Sequence, residues 1–207
     1  MVAEVRIYVE GGGNRDDTKT LLRQGFREFF RDLEAIARER KIGWRIVACG
    51  SREGAYKAFK IALEANPTAF NVLLVDAEEA VERTPWGHLA QRDRWTCPEG
   101  ATEDHCHLMV QCMEAWLIAD LEALRAYYGQ DFQHGAIPRT QNKETVDKEQ
   151  LSSRLEQATR RTQKGEYHKI RHGTQLLTRI NPALVRAACP HCDRIFTTLS
   201  RIMTEDA

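Results

Sequence analysis

The sequence predicts an α/β fold, a central and mostly parallel sheet flanked by helices, with a helical extension after it. Three observations carry this reading. Short apolar runs at Val5–Val9, Trp44–Cys49 and Phe70–Val75 read as strands, and amphipathic stretches with helical spacing separate them. The third run is almost wholly apolar, as expected of a central strand covered on both faces. Strand, helix, strand, helix, strand is the order that builds a parallel sheet through crossover helices.

Each element has its own justification. Val5, Ile7 and Val9 alternate with Arg6 and Tyr8, the two-residue period of a strand. Asp16 or Asp17 is placed to cap a long amphipathic helix whose apolar positions Leu22, Phe26, Phe29, Leu33 and Ile36 step by four and three, ending near Lys41-Ile42-Gly43. WRIVAC (44–49) is the second strand. Gly50-Ser51 then lead into a helix, REGAYKAFKIALEA, that Asn66-Pro67 stop. FNVLLV (70–75) is the third strand and HLMVQ (107–111) a candidate fourth; Leu117, Leu121, Leu124 and Tyr128 mark a further helix. The chain divides into an α/β domain over residues 1–128, a long polar loop over 129–150 containing Gly135 and Pro138, and a basic helical extension over 151–207 packed on the domain.

The bulk properties narrow the function classes. A chain of 207 residues holds one generous domain with a real core. No apolar run approaches the roughly 20 residues that span a bilayer, and the start shows no signal-peptide pattern, so no membrane partner and a cytoplasmic address are expected. Cys49, Cys97, Cys106, Cys112, Cys189 and Cys192 are then expected to be reduced thiols. The formal net charge of +0 argues against a protein that simply coats polyanions. The zero hides an asymmetry. Between Leu151 and Arg186, eight Lys or Arg face two acids, Glu156 and Glu166, whereas DAEEAVE (76–82) carries four acids and no base. An acidic spot and a basic segment suit a metal-dependent enzyme acting on a phosphate polymer; charges on solvated helix faces are the plainer explanation.

Open parallel sheets gather ligands at the carboxyl ends of their strands. Glu10 ends the first strand, Asp76 ends the third with Glu78 two residues on, and Glu114 follows the fourth. Hard cations such as magnesium take oxygen ligands, and carboxylates that share an ion escape the cost of crowding like charges. Singly, each has an ordinary alternative: a loop glutamate, a helix-capping aspartate, a solvated turn. Gly11, Gly12 and Gly13 lack the lysine and spacing of a Walker loop and the dinucleotide fingerprint. What remains is a permissive loop that lets Glu10 and its neighbouring N–H groups approach an ion or a phosphate.

The glutamate-glycine end of the first strand, paired with an acidic motif after an apolar third strand, resembles the Toprim domain of topoisomerases, primases and the overcoming-lysogenization-defect nucleases. More closely, VEGGG, LRQGF, LLVDAEE, MVQCMEAWLIAD, KGEYHK and INPALVRAACPHCDRIFTTL resemble a bacterial Toprim-like domain family of unknown function. Its members often lie beside ABC or chromosome-segregation-type (SMC-like) ATPase genes in phage-defence loci. The resemblance implies Glu10, Asp76 and Glu114 as metal ligands, with an ATPase subunit as partner. The third-strand motif departs from Asp-x-Asp: here it is Asp76-Ala77-Glu78, with a longer final arm.

Other signals are weaker. CPHC (189–192) has the spacing of half a zinc site, with Cys97, Cys106, His105 and His107 as the only candidates for the rest; its helical context favours buried thiols. The four tryptophans are scattered and read as core or pocket wall. In KGEYHKIRHG (164–173), Lys169 is placed to stabilise a phosphoryl transition state, and His168 or Tyr167 to position the phosphate, if the segment folds over the acidic edge; a basic surface helix is the alternative.

These readings converge on a magnesium- or manganese-dependent nucleic-acid hydrolase, an effector working with an ATPase. Glu10, Asp76, Glu78 and Glu114 are its expected ligands and Lys169 its expected catalytic cation. A non-catalytic binding or regulatory subunit is the main alternative, and an enzyme of small phosphorylated substrates a weaker one. DNA and RNA are both admitted as substrates, and a homodimer as an assembly.

Overall fold

Four parallel strands run in the order β2-β1-β3-β4, and the computed structural model describes the chain over residues 2–205. In chain order the elements are β1 (Glu4–Val9), α1 (Asp16–Phe29), α2 (Arg31–Glu39), β2 (Gly43–Ala48), α3 (Arg52–Ala65), β3 (Ala69–Asp76), α4 (Pro85–Asp93), β4 (Cys106–Met109), α5 (Glu114–Leu117), α6 (Leu121–Tyr128), α7 (Lys148–Thr159), α8 (Thr174–Leu177), α9 (Pro182–Ala188) and α10 (Pro190–Thr204). The sheet is parallel throughout: β1 pairs with β2 and β3, and β3 with β4.

The two-residue period of the strands sorts side chains into two apolar layers. On β1, Val5, Ile7 and Val9 face one layer, shared with Phe70, Val72 and Leu74 of β3. Tyr8, Leu73 and Val75 face the other, which α3 and α4 fill with Phe59, Trp86 and Leu89. The first layer is the larger. There α1 and α2 are joined by Leu151 and Leu155 of α7, Leu176 and Leu177 of α8, and Phe196 and Leu199 of α10. Residues near both ends of the chain thus share one core, which holds the C-terminal helices against the sheet.

Three features differ from the sequence expectation. The long first helix bends at Phe30 (φ −94°, ψ 17°) and becomes α1 and α2. The bend lets adjacent aromatics both be buried: Phe29 stacks on Trp116 at 5.0 Å, and Phe30 meets Phe196 at 5.4 Å. The polar segment after Tyr128 is pinned down, and α7 begins within it, at Lys148 with Asp147 as its cap. Lys143 Nζ donates to the carbonyls of Pro138 and Thr140 (3.0 and 2.7 Å), and the Glu144 carboxylate accepts from the His191 N–H (2.8 Å) at the start of α10. Helix α4, not anticipated, carries standard start signals, the Thr84 side chain accepting from Gly87 N–H and Pro85 in the first turn. No helix among the described residues is long and apolar enough to cross a membrane.

A candidate metal centre at the switch point of the sheet

The strand order reverses between β1 and β3. The chain goes from β1 outward to β2 and then returns past β1 to β3, leaving a crevice above the carboxyl ends of these two neighbours. Glu10 leaves β1 there and Asp76 is the last residue of β3. The two are joined directly, since the Asp76 N–H donates to Glu10 Oε2 (3.3 Å). Glu78 turns back toward them through a left-handed backbone (φ 73°), a conformation costly for a side chain other than glycine and often kept at functional sites. That turn compensates for the longer arm of the Asp76-Ala77-Glu78 motif.

As a result one carboxylate oxygen from each of Glu10, Asp76 and Glu78 lies within 4.8 Å of the others, so the cluster can hold a divalent metal ion. An all-oxygen donor set of this kind suits a hard cation. Glu114 is not in the triad. It opens α5 and is buried, with Oε1 accepting from the Tyr167 hydroxyl (2.9 Å) and Oε2 buried without a hydrogen-bond donor.

The basic segment does reach the acidic edge. Lys169, within a π-helical turn (Lys169–Gly173), places Nζ 2.8 Å from Asp76 Oδ2 and 3.7 Å from Glu114 Oε2. The other Asp76 oxygen accepts from Met113 N–H (2.9 Å). His168 caps the turn, its ring accepting from Arg171 N–H.

Four further residues, absent from the sequence reading, complete the charge network. Arg52, at the start of α3, donates to Glu10 Oε2 (3.2 Å) and to the Asp76 carbonyl, is gripped by Asp93 (2.7 Å), and lies over the Trp95 ring (5.2 Å). Lys148 pairs with Glu78, and Arg92 stands 3.7 Å from the same carboxylate. Topology is the signal for Arg52, because the turn from β2 into α3 must emerge at the same sheet edge as Glu10. Lys148, Arg92 and Asp93 come from elements whose position no local pattern gives.

Burial raises the Glu10 carboxyl above its usual range, the neighbouring Asp76 charge adds to this, and Arg52 and Lys169 pull it back only in part. Desolvation also raises Asp76, against the pull of Lys169. Glu78 goes the other way: burial opposes its ionisation, but the Lys148 hydrogen bond and the charges of Lys148, Arg92 and Arg52 outweigh that and lower it. Lys169 shows the complementary effect; desolvation disfavours its charge, yet Asp76 and Glu114 hold it protonated well above the usual lysine range. Carboxylates that resist ionisation for lack of solvent and for mutual repulsion are the kind a dication stabilises.

The glycines help line a cavity of about 190 Å³ that reaches Glu10 and Asp76, with Met109, Met113 and Ile170 also in its walls. Gly11, at φ +112°, exchanges two backbone hydrogen bonds with Gly50 (2.8 and 3.0 Å), which ties the loop to the end of β2. At Gly50 a Cβ would lie 2.7 Å from the Gly13 carbonyl oxygen. The loop is glycine-rich because Gly11, Gly12 and Gly13 all hold a positive φ (112°, 83° and 59°), and a Cβ at Gly12 would also lie 3.0 Å from the Lys19 backbone.

The histidine and cysteine signals resolve into structure. Cys106, Cys112, Cys189 and Cys192 are buried. His107 is committed on both nitrogens: Arg194 donates to Nδ1 (2.9 Å), so Nε2–H donates to the Asp104 carbonyl (3.0 Å). Among the described residues the only group of three or more metal-ligating side chains close enough to share an ion is the carboxylate triad.

Comparison with known proteins gives one match. No curated protein and no solved structure matches the chain. A family model described as Domain of unknown function (DUF4276) matches residues 9–200, a span that runs from the end of β1 into α10 and includes every residue of the carboxylate and cation network. The chain belongs to that DUF4276 family.

Proposed function

We propose that this protein is a magnesium- or manganese-dependent phosphodiester hydrolase of nucleic acid, Toprim-like in the use of its sheet edge, and the effector of a phage-defence pair with a chromosome-segregation-type ATPase. The observation that carries the reading is the convergence of Glu10, Asp76 and Glu78 to within 4.8 Å at the switch point. These three would hold the ion, which when bound supplies Lewis-acid charge neutralisation and an activated water.

The chain's own residues do the rest. Arg52, braced by Asp93 and Trp95, orients Glu10 and the end of β3. Lys169, half-exposed and held protonated, offers a fixed positive charge to a phosphate oxygen entering from solvent. A polymeric substrate is supported by cations gathered just beyond the site. Lys164 Nζ lies 4.8 Å and Arg179 Cζ 5.5 Å from the centre of the Tyr127 ring. Burial first, and then the charges of Arg171, His168 and Lys164, lower the pKa of nearby His172, so positive groups gather around it. Such a patch attracts a phosphate backbone without reading bases.

A second reading has an observation of its own. Every triad carboxylate is already paired with a lysine or arginine, as in the ion-pair network of a non-catalytic binding subunit. Calorimetric titration with Mn²⁺ and Mg²⁺ of wild type and Glu10→Ala/Asp76→Ala, with cleavage of DNA and RNA followed on the same samples, separates the two. Ion binding and metal-dependent cleavage, both lost in the double variant, establish the enzyme. Wild-type protein that binds no ion and cuts nothing leaves the binding subunit.

A further inference from the structure

We infer that the centre takes a single divalent ion, and that the Lys169 ammonium is a built-in cation occupying the place where a second ion would bridge Asp76 and Glu114. The inference rests on the metal-centre reading above and specifies its stoichiometry.

Three observations support it. The first is position. In two-ion phosphoryl-transfer sites the ions lie roughly 3.5–4 Å apart and share a carboxylate. Asp76 is the residue common to both groups here: it forms the triad with Glu10 and Glu78, and it shares Lys169 with Glu114, which lies outside the triad. Lys169 Nζ lies between Asp76 Oδ2 at 2.8 Å and Glu114 Oε2 at 3.7 Å, the bridging place.

The second is an unpartnered atom. Glu114 is 2 % exposed, its Oε1 is satisfied by Tyr167, and its Oε2 has no hydrogen-bond donor. A buried carboxylate oxygen left in this state is expensive unless a cation stands close by. Lys169, hydrogen-bonded to Asp76, supplies that charge from 3.7 Å without a hydrogen bond to Glu114.

The third is charge balance. The linked network contains five carboxylates, Glu10, Asp76, Glu78, Asp93 and Glu114, and four cations, Arg52, Arg92, Lys148 and Lys169. It therefore carries one net negative charge when all are ionised. One dication takes the network to one net positive charge; a second would take it to three, in a partly desolvated crevice where such an excess is strongly disfavoured. A tethered ammonium meets the need of Asp76 and Glu114 with a single charge and cannot diffuse away.

Manganese binding stoichiometry tests this directly, by calorimetry and by the fraction of Mn²⁺ lost from the free-ion electron paramagnetic resonance signal. Wild type is expected to bind one Mn²⁺ per chain. Lys169→Met, which keeps the length of the arm and removes the charge, is expected to bind two, and Lys169→Met/Glu114→Gln to return to one. Lys169→Arg, which keeps the charge, is expected to stay at one and guards against a Lys169→Met variant that fails to fold. Two ions on wild type, or one on folded Lys169→Met with unchanged affinity, overturns the built-in cation while leaving the metal centre intact. No ion on wild type overturns both.

Discussion

The Tyr167 hydroxyl donates to Glu114 Oε1 across 2.9 Å, joining residues 53 positions apart and locking the basic segment over the carboxylates. Both partners are buried, and burial together with the Glu114 charge raises the Tyr167 pKa well above that of a free phenol. Because Glu114 Oε2 has no donor, this is the carboxylate's one hydrogen bond. Tyr167→Phe is expected to destabilise the fold by about 2 kcal/mol, the cost of leaving a buried charged acceptor unbonded. Urea unfolding at neutral pH measures it, and a loss below a few tenths of that figure would show that the contact is not maintained in solution.

Arg52 is expected to be the most sensitive position of the network. Arg52→Met leaves Glu10 without its arginine and Asp93 with Arg92 alone, with little solvent around either carboxylate. Breaking a partly buried pair from one side costs about 3 kcal/mol. A melting-temperature shift of several degrees is the readout, and Arg52→Lys should recover only part of it, because a lysine cannot grip Asp93 through two nitrogens.

Gly12, Gly13 and Gly50 are not equivalent. Gly13 has φ +59°, within the left-handed helical region, and a Cβ there meets nothing within 4 Å. Gly13→Ala is expected to cost only about 1 kcal/mol. Gly12→Ala puts a Cβ 3.0 Å from the Lys19 backbone, and Gly50→Ala puts one 2.7 Å from the Gly13 carbonyl. Both should move the loop, costing more stability than Gly13→Ala and weakening Mn²⁺ binding. Equal effects in all three would mean that the close contacts of Gly12 with α1 and of Gly50 with the loop do not constrain the site.

Acid stability should report on His107. Burial first, then the Arg194 charge, depresses its pKa from 6.5 to about 3. A lowered folded-state value means that the unfolded chain binds the extra proton between these limits. The contribution of His107 to stability is therefore complete above about pH 6.5 and is lost as pH falls toward 3, at about 1.4 kcal/mol per pH unit. His107→Gln, which can keep both hydrogen bonds but cannot titrate, should flatten this limb of the stability curve. An unchanged slope in urea midpoints from pH 7 to pH 4 would assign the acid sensitivity elsewhere.

If a phosphate backbone lies across the cations near Tyr127, Lys164→Gln/Arg171→Gln/Arg179→Gln should weaken binding to DNA and RNA of any sequence. The slope of log affinity against log salt should become shallower by about 0.9 per lost contact on duplex DNA. Fluorescence anisotropy between low and moderate salt gives both numbers. Intact affinity in the variant would place the substrate on another face.

The local sequence by itself determined the sheet and its acidic edge. Strand alternation in Val5–Val9, the apolar run ending at Asp76, and the capping and stop signals around α3 are all short-range, because side-chain period and turn chemistry act within a few residues. Parallel topology then sends Glu10 and Asp76 to the same edge with no further information. The tertiary structure decided what those carboxylates face. The bend at Phe30 follows from aromatic packing against Trp116 and Phe196, more than eighty residues away. Lys148, Arg92, Asp93 and Lys169 meet the acids only because the helices that carry them bury apolar faces on a shared core, and no pattern near any one of them records that docking. Glu78 enters the triad through one left-handed residue, and Glu114 is held off it by Tyr167 and Lys169. Charge at a site depends on distances of a few ångströms, and those distances are set by packing across the whole fold.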